Sequence, residues 1–272
     1  MAAAPSVLLS EVLQSRGARW ISLGWLGFIT ENVVLSENRT EIIAAFGDEN
    51  YHRLYNTLST AACGSIAWGF FKHGRGQGPA LAYRGKASLM AGYALQSMGL
   101  MGLSQLAPKF QIPVTQEEAQ ALAVGINSDA AAAAPAASSS FVLRCPMDFK
   151  PKDVPADGIY GVDRISRHAT FWAFGMYSLG YAATTVFIPE ILMCAWPIVF
   201  AFVGTSHQDY RYRRGMGGTL SKEKDEKTSN IPFAALITGK QQWSPLAQEI
   251  KWENAGIAFA ITSLTAFRRF RR

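Results

Sequence analysis

Few side chains in this chain could carry chemistry. It has four histidines (His52, His73, His168, His207) and three cysteines (Cys63, Cys145, Cys194). The cysteines are odd in number, scattered and without a CxxC pair, so they offer no disulfide framework and no thiolate metal site. Cys63 and Cys194 fall inside apolar runs and read as small buried hydrophobes. A bis-histidine haem needs two imidazoles on facing helices across one cavity, yet each histidine lies at or beyond the end of an apolar run. His168 is the best placed, because the run Gly161-Val-Asp-Arg-Ile-Ser-Arg-His168 gathers Arg164, Arg167 and His168 at a helix entry. Guanidinium forks match a phosphate, a lipid headgroup or a carboxylate. The plainer reading is a snorkelling helix cap that pairs with Asp209 or Glu190. In His207-Gln-Asp209-Tyr-Arg211 two potential ligands stand two residues apart with no third, which falls short of a metal site. Glu31, inside an apolar run, is a costly residue and therefore a functional candidate. No nucleophile motif, phosphate-binding loop or carboxylate pair occurs, and Gly215-Met-Gly-Gly218 reads as a turn before a charged loop. These residues predict no catalytic set and no metal. Arg164, Arg167, His168, Asp209 and Arg211 are the candidates for holding a lipid or a partner.

The elements that would position them are helices in a membrane. Charged residues make up 17% of the chain, against roughly 25% in soluble domains, and they cluster so that long runs stay free of charge. The net charge of +6 sits beside apolar runs, as at Arg16/Arg19, Lys72/Arg75, Arg84/Lys86 and the terminal Arg268-Arg269-Phe270-Arg271-Arg272. That placement fits anionic lipid rather than nucleic acid. Runs of about 20 apolar residues cross a bilayer core. The expected spans are Trp20–Leu35, Tyr55–Phe71, Ala87–Ala107, His168–Phe187 and Ile191–Gly204, with Pro189-Glu190 as a tight turn before the fifth and Pro197 as a kink within it. Ala87–Ala107 carries no charge and is rich in Gly, Ala and Ser, which lets helices approach closely. Ala255–Phe267 reads as a sixth span beginning near Trp252, with an interfacial helix as the alternative. Glu37–Arg53 reads as an acidic polar stretch and Tyr210–Asn230 as a strongly charged, solvated one.

The fold class is thus an all-α polytopic membrane bundle of about six helices. Residues 1–108 hold the first three, 109–163 a polar insertion, and 164–272 the last three with a charged loop at 205–250. The insertion contains the low-complexity linker Ala130–Ser140 and a Pro-spaced arm over Cys145–Ala156. Six spans put both termini and the Lys72–Lys86 loop on one side.

Three segments carry a resemblance. Phe46-Gly-Asp-Glu-Asn-Tyr-His-Arg-Leu-Tyr55, Gly161–His168 and Lys227-Thr-Ser-Asn-Ile-Pro-Phe-Ala-Ala-Leu-Ile-Thr-Gly-Lys-Gln241 resemble, in order and spacing, motifs of the NnrU family, and the last is similar to its carotene-isomerase branch. The resemblance implies a bundle of about six membrane helices. In the isomerase branch it implies a haem b on two histidines and redox-gated isomerisation of a carotenoid. Carried onto this chain, the first histidine position falls on Asn32 and the later pair on Phe200 and Ala201, which cannot hold iron.

The expectation that follows is a scaffold without its haem. It would serve as a non-catalytic accessory subunit of a respiratory-chain or ATP-synthase complex rather than a photosystem, in contact with neighbouring membrane subunits and phospholipids and with no cofactor of its own. The alternative is a haem b-dependent membrane isomerase or oxidoreductase acting on a polyene or quinone, with His168 and His207 as the ligand set. The N-terminal segment resembles neither a secretory signal nor a plastid transit peptide. The expected location is the mitochondrial inner membrane, with the thylakoid as the alternative.

Overall fold

The computed structural model describes residues 10, 13–81, 84–110, 147–148, 155 and 158–271. The Ala130–Ser140 linker and all of the Cys145–Ala156 arm except Met147, Asp148 and Pro155 lie outside the described residues.

The described chain is all-helical apart from one two-residue strand pair. In chain order the helices are α1 (Arg16–Glu37), α2 (Arg39–Phe46), α3 (Asp48–His73), α4 (Lys86–Ser104), α5 (Ala169–Ala182), α6 (Ile188–Arg213), α7 (Lys222–Lys227), α8 (Ala234–Ile237), α9 (Trp243–Glu249) and α10 (Trp252–Phe270), with a 3₁₀ turn at Gly161–Arg164. Strands β1 (Lys109–Phe110) and β2 (Met147–Asp148), both within the 109–163 insertion, pair antiparallel. The long helices pack in the neighbour order α3, α1, α6, α5, α4, α10.

Local chemistry explains the ends of these helices. Ser15 caps α1 by accepting from Ala18 N at 3.3 Å. α3 opens on Asp48 and Glu49 and closes on Lys72 and His73, each sign at the end that the helix dipole favours. Close approach comes from glycine. A Cβ at Gly92 would lie 2.8 Å from Gly180 O, and one at Gly99 would collide with Ala173 O and Tyr177 N, so α4 and α5 touch backbone to backbone. The core is accordingly small-grained, with Ala18, Ile21, Ala201, Thr205 and Ala235 all buried.

Both described ends of the chain and the Lys72–Lys86 loop share one end of the bundle. There Leu81 N donates to Val186 O (2.8 Å), Ile188 N to Pro79 O (2.9 Å) and Arg84 Nε to Thr185 O (2.8 Å). The α1–α3 junction and the C-terminus of α6 form the opposite end, where Arg214 grips Glu37 at 2.6 and 2.8 Å.

Several expectations need correction. Pro189-Glu190 is not a turn; Pro189 occupies the first turn of α6, where its missing N–H costs nothing, and the chain reverses at residues 183–187. The helix expected over His168–Phe187 has 14 residues and stops at Ala182. Glu37–Arg53 is mostly helix, because Asn38 and Gly47 break α1 from α2 and α2 from α3 while the residues between them keep helical pairing. Tyr210–Asn230 is not simply solvated, since Arg211 and Thr228 are buried within it. Cys63 is exposed rather than buried, on an outer face of α3. α10 begins at Trp252, as a sixth span would require, and runs 19 residues. One helix among the described residues, α6, is both long and apolar enough to cross a membrane on its own.

Candidate functional site

The segment 161–168 sits over the C-terminal half of α6 because a second segment ties it there. Arg167 N donates to Ser229 O (3.1 Å), Phe233 N to Ile165 O (2.9 Å) and Ser166 Oγ to Asn230 O (2.5 Å). Asn230 Oδ1 in turn accepts from Trp172 Nε1 and Thr205 Oγ1 at 3.0 and 2.8 Å. Two of the three segments that carry the resemblance therefore pack against one another.

Each candidate side chain in this layer has an internal partner. Arg164 forks onto Glu249 (Nε–Oε2 2.8 Å, Nη2–Oε1 2.6 Å) and donates to Gln241 Oε1 at 2.8 Å. Arg167 spans both Asp209 oxygens through Nε at 3.0 and 3.1 Å, reaches Asp225 at 2.9 Å and donates to Thr228 Oγ1 at 3.0 Å. His168 Nε2 meets Asp209 Oδ1 at 2.7 Å. The side chains of Arg167, His168 and Asp209 are 7%, 9% and 4% exposed. Of the anions that could have matched this cluster, the chain supplies the carboxylate itself. Of the two expected partners for His168, Asp209 is the one used; Glu190 instead accepts from Gly76 N at 2.9 Å and from the Thr185 hydroxyl.

Arg211 behaves differently. It is buried in the last turn of α6, two residues past Asp209, and turns into a cavity of about 300 Å³ between α1, α5 and α6. Asn32, Ser36, Arg39, Tyr55, His207 and Gln208 supply its polar wall, and Ile29, Val33, Phe171 and Phe200 its apolar one. Glu31 lies behind this wall, accepting from Ser59 Oγ at 2.9 Å and from Asn32 Nδ2 at 3.1 Å, while Tyr55 donates to Asn32 Oδ1. The carboxylate singled out in the sequence is thus a hydrogen-bonded support.

Asn32 and Phe200, on which the resemblance places haem ligands, line this cavity together, whereas Ala201 is buried. The residues present do not fit a bis-histidine haem. His207 is the imidazole on the cavity wall and already faces Ser36 Oγ at 2.9 Å. His168 is spent on Asp209, His52 lies by Asp48 at 3.5 Å, and His73 packs edge-on to Trp68 at 5.5 Å. Among the described residues no three of His, Cys, Asp or Glu gather as a metal site.

A second cavity, of about 290 Å³, is almost wholly apolar. Met98, Met101, Trp172, Met176, Phe233 and Trp243 form much of its wall, between α4, α5 and the α8–α9 segment.

Sequence reasoning missed Arg39, Glu249, Asp225 and Asn230. Asp225 and Glu249 stand in charged stretches that looked solvated, and nothing in the sequence signals that those stretches fold back. No family model matches this chain, and neither a curated protein nor a solved structure does.

Proposed function

We propose that this chain is an integral membrane helix bundle that serves as a non-catalytic subunit of a larger complex in an energy-transducing membrane. The observation that carries the membrane part is the outer surface. Leu23, Phe71, Met90, Phe259, Ile261 and Phe267 are all more than half exposed, and they recur on α1, α3, α4 and α10. Large apolar side chains this numerous on the outside suit a body in lipid better than a water-facing monomer. Only 28% of the apolar window of α6 is buried, far from what the core helix of a soluble protein would have. On this reading α1, α3, α4 and α10, of 22, 26, 19 and 19 residues, cross beside α6. α5, with its 14 residues, reaches only about 21 Å at 1.5 Å per residue and is sheltered between α4 and α6.

The subunit part is supported by the closed ion-pair layer. Arg164, Arg167, His168 and Asp209 bind one another and their neighbours, which suits a scaffold whose products are contacts. The NnrU-like resemblance is consistent with a bundle that has kept its frame and lost its iron ligands. A second reading, action on a lipophilic polyene or quinone, draws support from the Met- and Trp-lined apolar cavity. Solvent extraction and mass spectrometry of the purified protein would reveal such a guest.

Membrane embedding is tested at Cys63, which lies on an outer face. In a Cys145→Ser, Cys194→Ser background within native membranes, a water-soluble maleimide should leave Cys63 unlabelled until detergent is added. Full labelling of sealed and opened membranes alike would contradict the reading.

A further inference from the structure

Arg211 is 8% exposed, and its Nε and Nη2 have no hydrogen-bond partner. The glycine turn after α6 closes against it. Gly217 holds φ +72°, and a Cβ built there would lie 2.7 Å from Arg211 Nη2 and 3.0 Å from Arg39 Nη1. Two guanidinium groups therefore converge beside one backbone position at the wall of the 300 Å³ cavity, and no Asp or Glu lines that cavity. The nearby carboxylates are committed elsewhere: Glu37 to Arg214 at 2.6 Å, Asp209 to Arg167 and His168, and Glu31 to Ser59 and Asn32. Arg39 reaches Asp48 through Nη2 at 3.7 Å, which leaves its Nη1 on the cavity side. Like charges held close in a poorly screened space repel, and a buried guanidinium without an anion is costly. The arrangement leaves donors and positive charge facing the cavity with no carboxylate among its lining residues.

We propose that this cavity binds a phosphate group, held between Arg39 and Arg211 and supported by the amide of Gln208, which gives one of its two N–H groups to the Tyr212 hydroxyl at 2.7 Å. A carboxylate is matched by one fork, as the Arg164–Glu249 pair shows, whereas two converging forks suit the three or more oxygens of a phosphate. The phosphate is that of a lipid headgroup or a free ion; Ile29, Val33, Phe171 and Phe200 would pack against the first few carbons of a lipid. The site stands apart from the subunit reading and from the internally paired Arg164–Arg167–His168 layer.

The test uses the full chain, delipidated in detergent, with dioleoyl phosphatidic acid, dioleoylglycerol and sodium phosphate as probes. Native mass spectrometry should retain phosphatidic acid and not dioleoylglycerol. Arg211→Gln and Arg39→Gln should each lower its retention about tenfold or more, the scale of one lost charged hydrogen bond. A melting-point rise with sodium phosphate that both variants abolish would name free phosphate as a source. Response to phosphatidic acid alone would name the headgroup. Because it removes an unpaired buried charge, Arg211→Gln should melt no lower than the parent when both are delipidated. The proposal is overturned if the parent retains neither phosphate probe, if both variants bind as the parent does, or if Arg211→Gln melts far lower without ligand.

Discussion

Arg167 donates to two carboxylates and a threonine while only 7% exposed, so removing it takes from the buried Asp209 the guanidinium that spans both its oxygens and leaves it His168. Breaking a buried pair from one side costs about 3–5 kcal/mol. Arg167→Ala should therefore lower stability by that order in a guanidinium titration of the detergent-solubilised protein. The exposed Arg53–Glu49 pair, 71% and 78% exposed, should be silent in the same assay. Acid should act through Asp225. The Arg213 guanidinium bonded to it, with Arg167 behind, holds its carboxyl below the usual range. A depressed acid contributes stability above its unfolded pKa of about 3.9, and loses that contribution as pH falls through the lower folded value. Melting points taken from pH 6 to pH 2.5 should fall more steeply for the parent than for Asp225→Asn. A parallel fall would show that Asp225 has no such role. At this scale the sequence was half legible: the Arg-Ile-Ser-Arg-His spacing marks a cluster. Asp209 was one of the two partners the sequence offered; Glu249 and Asp225 were not, because their pairing depends on how the stretch after α6 returns.

Helix contacts make separable predictions. Gly99 faces backbone atoms of α5, whereas Gly64 on α3 has nothing within 4 Å of a built Cβ. Gly99→Ala should destabilise by about 1–3 kcal/mol, as overpacking does. Gly64→Ala should be neutral or stabilising, by up to about 1 kcal/mol from helix propensity. Thermal unfolding of the two variants, read by circular dichroism, separates these outcomes; equal effects would mean that α4 and α5 do not touch as described. The existence of the long helices was legible, since charge-free runs and the Gly, Ala and Ser content of Ala87–Ala107 pointed to close packing. Their ends were less so. Pro189 looked like a turn residue because proline breaks helices, yet at a first turn it starts one. The 37–53 stretch was legible only as acidic and polar, because hydropathy registers polarity and not the backbone pairing that makes it α2 and the start of α3.

Considered whole, the molecule buries the Arg164, Arg167, His168 and Asp209 pairs at one end and carries many large apolar side chains outside. That inversion fits a body surrounded by lipid and by other chains. Arg164, Arg167 and His168 are spent on Glu249, Asp209 and Asp225, whereas Arg211 is left open toward its cavity. The most direct test is native-gel migration of the solubilised protein from its own membrane, with mass spectrometry of whatever co-migrates and a visible absorption spectrum of the same band. The account predicts a band well above the 29.7 kDa chain in its micelle, a reproducible set of partner subunits, and no Soret absorption that this chain retains once isolated. A lone monomer that carries a haem and turns over a substrate would contradict it.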